Sequence, residues 1–281
     1  MRLPPLLFLA ALAAMPPPAA AGESYDNCTG TIASLPATIT TQGVWCMKSD
    51  LSTPITSGNA ITVATNNVTI DCNQFKLGGL GAGPSSFTIG IFVDTRLNAV
   101  VRNCNIRGFE TGVKMVAGSG HVVEDNRFDG NLHVGVNVSG TLSVIRRNLI
   151  LDTGTPTPGP YTIAGVLAAG GVDVLDNTID GAVANGSPNA NAHGISYLTN
   201  SGSVVARNHV RNLLASGTGT TRGISFDHTG NAVARDNVLH GSVGTGYGIY
   251  CDAAGSLAVD NVIVDWTTAV QDCTSSGNVV N

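Results

Sequence analysis

Hydrophobic and polar positions along this chain repeat over tens of residues. Asparagine stands at 126, 148, 177, 208, 237 and 261. Three residues before each is an apolar position: Val123, Ile145, Val174, Val205, Ala234 and Ala258. Two residues after each is another: Phe128, Ile150, Ile179, Val210, Leu239 and Ile263. Cys104, between Val101 and Ile106, heads the same column. A second column alternates with it along the chain: Gly90-Ile91, Gly112-Val113, Gly135-Val136, Gly165-Val166, Gly194-Ile195, Gly223-Ile224 and Gly248-Ile249. Each repeat therefore holds several short strands separated by tight bends, with alternate residues pointing inward. Strands so short bury a face only by stacking repeat on repeat, about 4.8 Å apart. The pattern predicts a parallel β-helix. An inward asparagine at each bend would bond its counterparts in the coils above and below.

Composition agrees. The chain has 35 glycines and only 12% charged residues, as suits strands joined by tight turns. Its net charge of −5 argues against nucleic acid as a partner, because phosphates call for a basic surface. Arg2, an apolar run from Leu3 to Met15 and small residues Ala19-Ala20-Ala21 have the form of a secretory signal. The run is too short and proline-broken to span a bilayer, and no later stretch is apolar enough for a membrane span. We expect residues 1–21 to be removed and the protein to be secreted or periplasmic. Six cysteines in an exported chain read as three disulfides. The repeat register places Cys251 and Cys273 one coil apart at nearly matching positions. Cys72 and Cys104 do likewise, which leaves Cys28 and Cys46.

The segments Val-Arg-Asn-Cys-Asn-Ile (101–106) and Val-Glu-Asp-Asn-Arg-Phe (123–128), with the Gly-Ile/Val column, resemble the right-handed parallel β-helix superfamily. That superfamily includes pectate lyases and related polysaccharide-acting proteins. The opening from Cys28 through Gly43-Val44-Trp45-Cys46 to Val68-Thr69-Ile70-Asp71-Cys72-Asn73 is similar to the capping start of secreted bacterial members. The resemblance covers about residues 25–281. It implies an all-β, right-handed parallel β-helix solenoid, with an N-terminal cap and first strands over 22–65 and coils over 66–281. Enzyme signatures are partial. Ala192-His193-Gly194-Ile195-Ser196 is faintly similar to the His-Gly segment of polygalacturonase-like hydrolases. Phe226-Asp227-His228 is slightly similar to the Asp-Pro-His segment of alginate epimerases, without its proline.

The residue before each ladder position runs Asn103, Asp125, Arg147, Asp176, Arg207, Asp236, Asp260. Its sign alternates over five coils, and Arg102, Glu124 and Arg146 alternate one position earlier. We read these columns as salt-bridge ladders that set register, each exposed pair contributing about 0.2–1 kcal/mol.

Coil length points to function. The spacing of the Gly-Ile column is 22 and 23 residues, then 30, 29, 29 and 25. The extra residues always fall after the asparagine-column strand: Asp152–Ala164, Ala182–Ala192, Leu213–Thr221 and Ser242–Gly246. Loops inserted at one corner of successive coils would stack along one edge and wall a groove. Leaving them are His193, Arg222 and Tyr247, one column across three coils, with Tyr161 and Tyr250 as further aromatics. Aromatic faces stack on pyranose rings, and arginine pairs with a uronate carboxylate. Asp227 and Asp252 form a column of like charge, with His228 beside the first. Three readings stay open: a Ca²⁺ site, an acid–nucleophile pair, or carboxylates splayed into solvent.

Two functions follow. One is a secreted enzyme on polysaccharide, a lyase, hydrolase or epimerase. His193 or His228 would be its base, and Arg222 or Ca²⁺ at Asp227 and Asp252 the neutraliser. The other is a non-catalytic exported β-helix that binds glycan or a cell-surface partner. At the C-terminus, Gly277-Asn278-Val279-Val280-Asn281 resembles the segment from Gly230 and stops early in a new coil. Its uncapped edge invites a second copy as a weak homo-oligomer.

Overall fold

A computed structural model describes residues 27–154, 162–184, 189–200, 202–228, 230–241, 246–252 and 255–281. Among these residues the strands form three parallel sheets, of eleven, ten and ten strands. We call them A, B and C. Sheet A holds Val100–Arg102 and Val122–Glu124, sheet C holds Asn105–Arg107 and Arg127–Asp129, and sheet B holds Thr111–Val116 and Val134–Ser139. The chain passes from A to C to B and back to A one coil further on. Within the segment expected to cap the stack, Gly30–Ile32, Ala37–Ile39 and Leu51–Ser52 already pair in sheets A, B and C.

Three inward columns fill the core. Val101, Val123, Ile145, Val174 and Val205 come from sheet A. Ile106, Phe128, Ile150, Ile179 and Val210 come from sheet C. Ile91, Val113, Val136, Val166 and Ile195 come from sheet B, and all are fully buried. Each of these side chains stacks on its equivalents in the coils before and after it, so the repeat is also the packing rule.

The bend from A to C carries the asparagine ladder. Asn148 Oδ1 accepts from Asn126 N at 3.1 Å and from Asn126 Nδ2 at 3.0 Å, while Asn148 Nδ2 donates to Val123 O at 2.9 Å. The same contacts recur at Asn177, Asn208, Asn237 and Asn261. Each side chain thus satisfies buried backbone groups that the bend removes from the sheets. The residue before each rung, from Asn103 through Asp260, is left-handed with φ between 54° and 57°. That one residue turns the corner.

The charged residues at this corner pair two by two. Arg147 bonds Asp125 at 2.7 Å and Glu124 at 2.9 Å, Arg146 bonds Glu124, and Arg207 bonds Asp176 at 2.7 Å. Asp236 takes its own neighbour Arg235, and Arg102 turns to Asp71 rather than Glu124. A forked guanidinium satisfied on one side has no reason to bridge both.

The three disulfides are Cys28–Cys46, Cys72–Cys104 and Cys251–Cys273. At the C-terminus the register differs from the expected one. Asn278 is a ladder rung, accepting from Asn261 N at 2.9 Å and donating to Ala258 O at 2.8 Å. Val279 and Val280 accordingly pair with Val262 and Ile263 in sheet C. The resemblance to the segment from Gly230 misled because both share Gly-Asn; the position of Asn278 relative to Ser275 marks the rung. Among the described residues no helix is long and apolar enough to cross a membrane.

Candidate functional site

The glycine column sits where the start of each sheet B strand packs tightly against the core side chains of sheet C and the backbone of the next coil. A Cβ at Gly165 would lie 2.6 Å from Ile179 Cγ2 and 2.9 Å from Gly194 O, and one at Gly135 2.6 Å from Gly165 O. Only glycine lets the chain leave the corner tightly and begin the sheet B strand. The residues on either side of the pair are therefore held firmly in columns.

Register pairs His193 with Arg222 and Arg222 with Tyr247. The parallel column after the Gly-Ile pair runs Lys114, Asn137, Leu167, Ser196, Ser225, Tyr250, Gln271. Phe226 pairs with Cys251, so Asp227 and Asp252, the next residues, occupy matching positions. Their carboxylates have separate partners. Asp227 Oδ1 accepts from Arg222 Nη1 at 2.7 Å and from Ser225 Oγ at 2.6 Å, and Oδ2 from Ser196 Oγ at 2.8 Å. Asp252 Oδ1 lies 3.4 Å from the Tyr250 hydroxyl. His228 is exposed and outside these contacts.

Arg222 is the hub. Its Nη1 also donates to Ser225 Oγ at 2.9 Å, and its guanidinium lies 3.7 Å from the centroid of the Tyr250 ring. Tyr250 in turn meets Tyr247, ring centroids 5.3 Å apart at 54°. The stacked guanidinium, desolvated on one face, is the arrangement in which cation–π attraction is strongest. Burial holds the Tyr250 phenol above its ordinary pKa; Arg222 opposes the rise, and Asp252 and Asp272 add to it.

His193, one coil before Arg222, is only 3% exposed. Neither of its ring nitrogens has a hydrogen-bond partner among the described residues. Burial pushes its pKa down to about 4, against a pull upward from Asp227, and Arg222 adds to the fall. The imidazole is neutral at physiological pH. Ser225 carries no motif, and Ser196 enters the sequence pattern only as the end of the 192–196 segment; the signal for both is the position directly after the Gly-Ile pair. Tyr161 lies outside the described residues.

The long loops stack where described. Thr218 N and Oγ1 both donate to Asn189 Oδ1, at 3.0 and 2.8 Å, and Thr220 N donates to Asn191 Oδ1 at 2.9 Å. Ser216 N and Ala190 O join the same two loops at 3.0 Å. They stand at the C-to-B corner, directly before Ala192–Asn200 and Thr221–Phe226.

A second polar pair sits upstream on the same side. His133 Nδ1 is 2.9 Å from Glu110 Oε1, and Thr111 Oγ1 donates to Oε2 at 2.6 Å. Burial raises the Glu110 pKa, but the bonds from His133 and Thr111 outweigh it and hold the carboxyl below its ordinary value. Among the described residues, no three of His, Cys, Asp and Glu converge as metal ligands do.

Comparisons with known proteins agree with this fold. Residues 49–191 match the family described as right handed beta helix region. No curated protein matches the sequence. Three similar solved structures share 13% identity with the chain. The Dettilon tailspike protein (gp208) has a TM-score of 0.59 over 89% of this chain and 53% of its own. XylC, solved with xylose, has 0.52 over 75% and 38%. An alginate lyase from Paenibacillus sp. str. FPU-7 has 0.50 over 90% and 98%. The chain thus spans about half or less of two of these proteins and nearly all of the third.

Proposed function

The chain belongs to the right-handed β-helix family, and from that premise we propose that the outward face of sheet B binds a polysaccharide chain outside the cell. The observation that carries this reading is the Tyr247–Tyr250–Arg222 stack beside the loop-lined corner. It is a half-exposed pair of tyrosine rings, tilted 54° to each other and held by the Arg222–Asp227 ion pair, and it offers aromatic surface to a sugar ring. The three disulfides and the secretory form of residues 1–21 support export. Two of the similar structures are named with a carbohydrate, XylC with xylose and an alginate lyase, which is consistent with the reading.

The test is binding of a polysaccharide panel by affinity electrophoresis and calorimetry, with Ca²⁺ or with a chelator. Tyr247→Ala and Tyr250→Ala are each expected to weaken binding about tenfold, near 1.4 kcal/mol. A double variant that binds as well as the parent would end the proposal. A cation at Asp227 and Asp252 would have to displace Arg222 from Asp227, so binding is expected with chelator present.

One observation favours a catalytic role as well: the neutral, unpartnered His193 beside the Arg222–Asp227 pair. The imidazole is unprotonated, but its low pKa makes it a weak base and its burial requires that substrate open the corner beside it. Turnover would show as unsaturated ends for a lyase, as new reducing ends for a hydrolase, and only in NMR of the polymer for an epimerase. Loss of such turnover in His193→Asn with binding retained would assign the base.

A further inference from the structure

The charge around this platform identifies which sugars it takes. Beyond Lys114, Arg222 is the one Lys or Arg carried by the described strands of sheet B. The other Lys and Arg residues after Lys114, from Arg127 through Arg235, lie on sheets A and C or at the corner between them. Arg222 itself is already neutralised by Asp227 at 2.7 Å and covered by Tyr250. Asp252 and Asp272 are exposed at the neighbouring bends, and both act on the Tyr250 phenol. The four insertions, Asp152–Ala164, Ala182–Ala192, Leu213–Thr221 and Ser242–Gly246, contain one charged residue between them, and it is acidic: Asp152. The rest is chiefly Thr, Ser, Asn, Gly and Ala.

A uronate polymer carries one negative charge per sugar. On this face it would meet no unpaired cation on the described strands from Val134 onward, and two exposed carboxylates within a Debye length, about 8 Å at physiological salt. Its own carboxylates would lose water without gaining a partner, which is costly. The described residues at this corner, Asn189, Asn191, Ser216, Thr218 and Thr220, carry amides and hydroxyls, and together with the tyrosines they suit a chain that offers only hydroxyls and ring faces. We infer that the sheet B face selects uncharged polysaccharide, a hexan or a xylan, and discriminates against polyuronates. This replaces the sequence-based expectation that Arg222 pairs with a uronate carboxylate, and it rests on the reading of this face as a carbohydrate face.

The experiment compares oligosaccharides of matched length from mannan, xylan and galactan with those from polymannuronate and polygalacturonate. Binding is measured by calorimetry at pH 8, where imidazoles carry no charge, in 20 mM and 300 mM salt. At least one neutral series is expected to bind, with affinity independent of salt, and the uronates to bind at least about tenfold more weakly. Asp227→Asn, which releases the Arg222 guanidinium, is expected to raise the ratio of uronate to neutral affinity by about tenfold. Asp272→Asn, at an exposed bend, should move the same ratio in the same direction by less and guards against a misfolded first variant. Uronates bound by the parent protein as tightly as neutral chains, with affinity falling as salt rises, would overturn the inference and leave the polysaccharide proposal standing. Binding of neither class would overturn both.

Discussion

His193 shows how one side chain acquires its character from its neighbours. A histidine facing solvent titrates near its ordinary value of 6.5; here the stacked coils remove water from both ring nitrogens, and the pKa falls to about 4. The folded state therefore holds the neutral form, while the unfolded chain takes up a proton as pH drops below 6.5. Unfolded molecules bind more protons throughout that window, so stability contributed by this residue is full above pH 6.5 and is lost as pH falls towards 4. The loss is on the order of 3 kcal/mol at its acid end, at about 1.4 kcal/mol per pH unit. Thermal melts from pH 7.5 to 4 should therefore drop more steeply for the parent than for His193→Leu. Equal slopes would mean that the imidazole is hydrated in solution. The placement of His193 beside Arg222 and Tyr247 was legible in the sequence because the repeat period fixes register. The destination of Arg222 was not. Its side chain reaches five residues along its own strand to Asp227, a choice made by rotamer and by two serines rather than by spacing. Glu110 and His133 were overlooked for a related reason. They stand two residues before Gly112 and Gly135, one place outside the column of His193, Arg222 and Tyr247.

At the scale of strands and bends, the two motif columns have different physical causes. The asparagines replace hydrogen bonds that the A-to-C corner would otherwise leave unmade, so hydrogen-bonding capacity selects the residue. The glycines admit a close approach, so volume selects it. Gly165→Val separates the two. Its Cβ would meet Ile179 Cγ2 at 2.6 Å and its branches the carbonyl of Gly194, neither of which can move without displacing a coil. Overpacking of this kind costs about 1–3 kcal/mol. We expect that loss in urea unfolding, and with it a weakened platform, since the strand Ile163–Gly170 pairs with Ala192–Asn200, which carries His193. A variant as stable as the parent would show that the corner yields. The inward columns and the corner at which the long loops stack are readable from periodicity because each is repeated; register also gives Cys72–Cys104 and Cys251–Cys273, and leaves Cys28–Cys46 by elimination. The pairing of the charged column was only half readable. Alternation of sign says that opposite charges are neighbours, but each guanidinium chooses one of two equivalent neighbours, and only geometry decides.

Across the whole molecule, stability is distributed as in any solenoid: each coil touches only the coils before and after it, so its free energy is a local term plus two interfaces. A terminal coil has one interface and is the weakest unit. The last described coil buries few side chains against the coil before it, with Val279 63% and Val280 56% exposed. Two devices compensate. Asn278 extends the ladder by a rung, and Cys251–Cys273 ties the coil across 22 residues to the one before it. Closing a loop of that length is worth about 3 kcal/mol in the chain-entropy account. Because coupling runs only between neighbours, that energy should act at the end of the stack and not in its middle. Replacing both cysteines with alanine is expected to abolish hydrogen-exchange protection over Thr268–Gln271 and Thr274–Ser276 while leaving Val172–Leu175 and Thr178–Val183 as slow as in the parent. Protection lost equally at the centre would mean that the coils unfold as one cooperative unit. The outcome bears on the candidate site, since Gln271 pairs with Tyr250 and the strand Gly246–Cys251 is the penultimate member of sheet B. If the end frays alone, Tyr250 loses its outer neighbour, and carbohydrate binding should weaken in the disulfide-free protein before any global unfolding is detected.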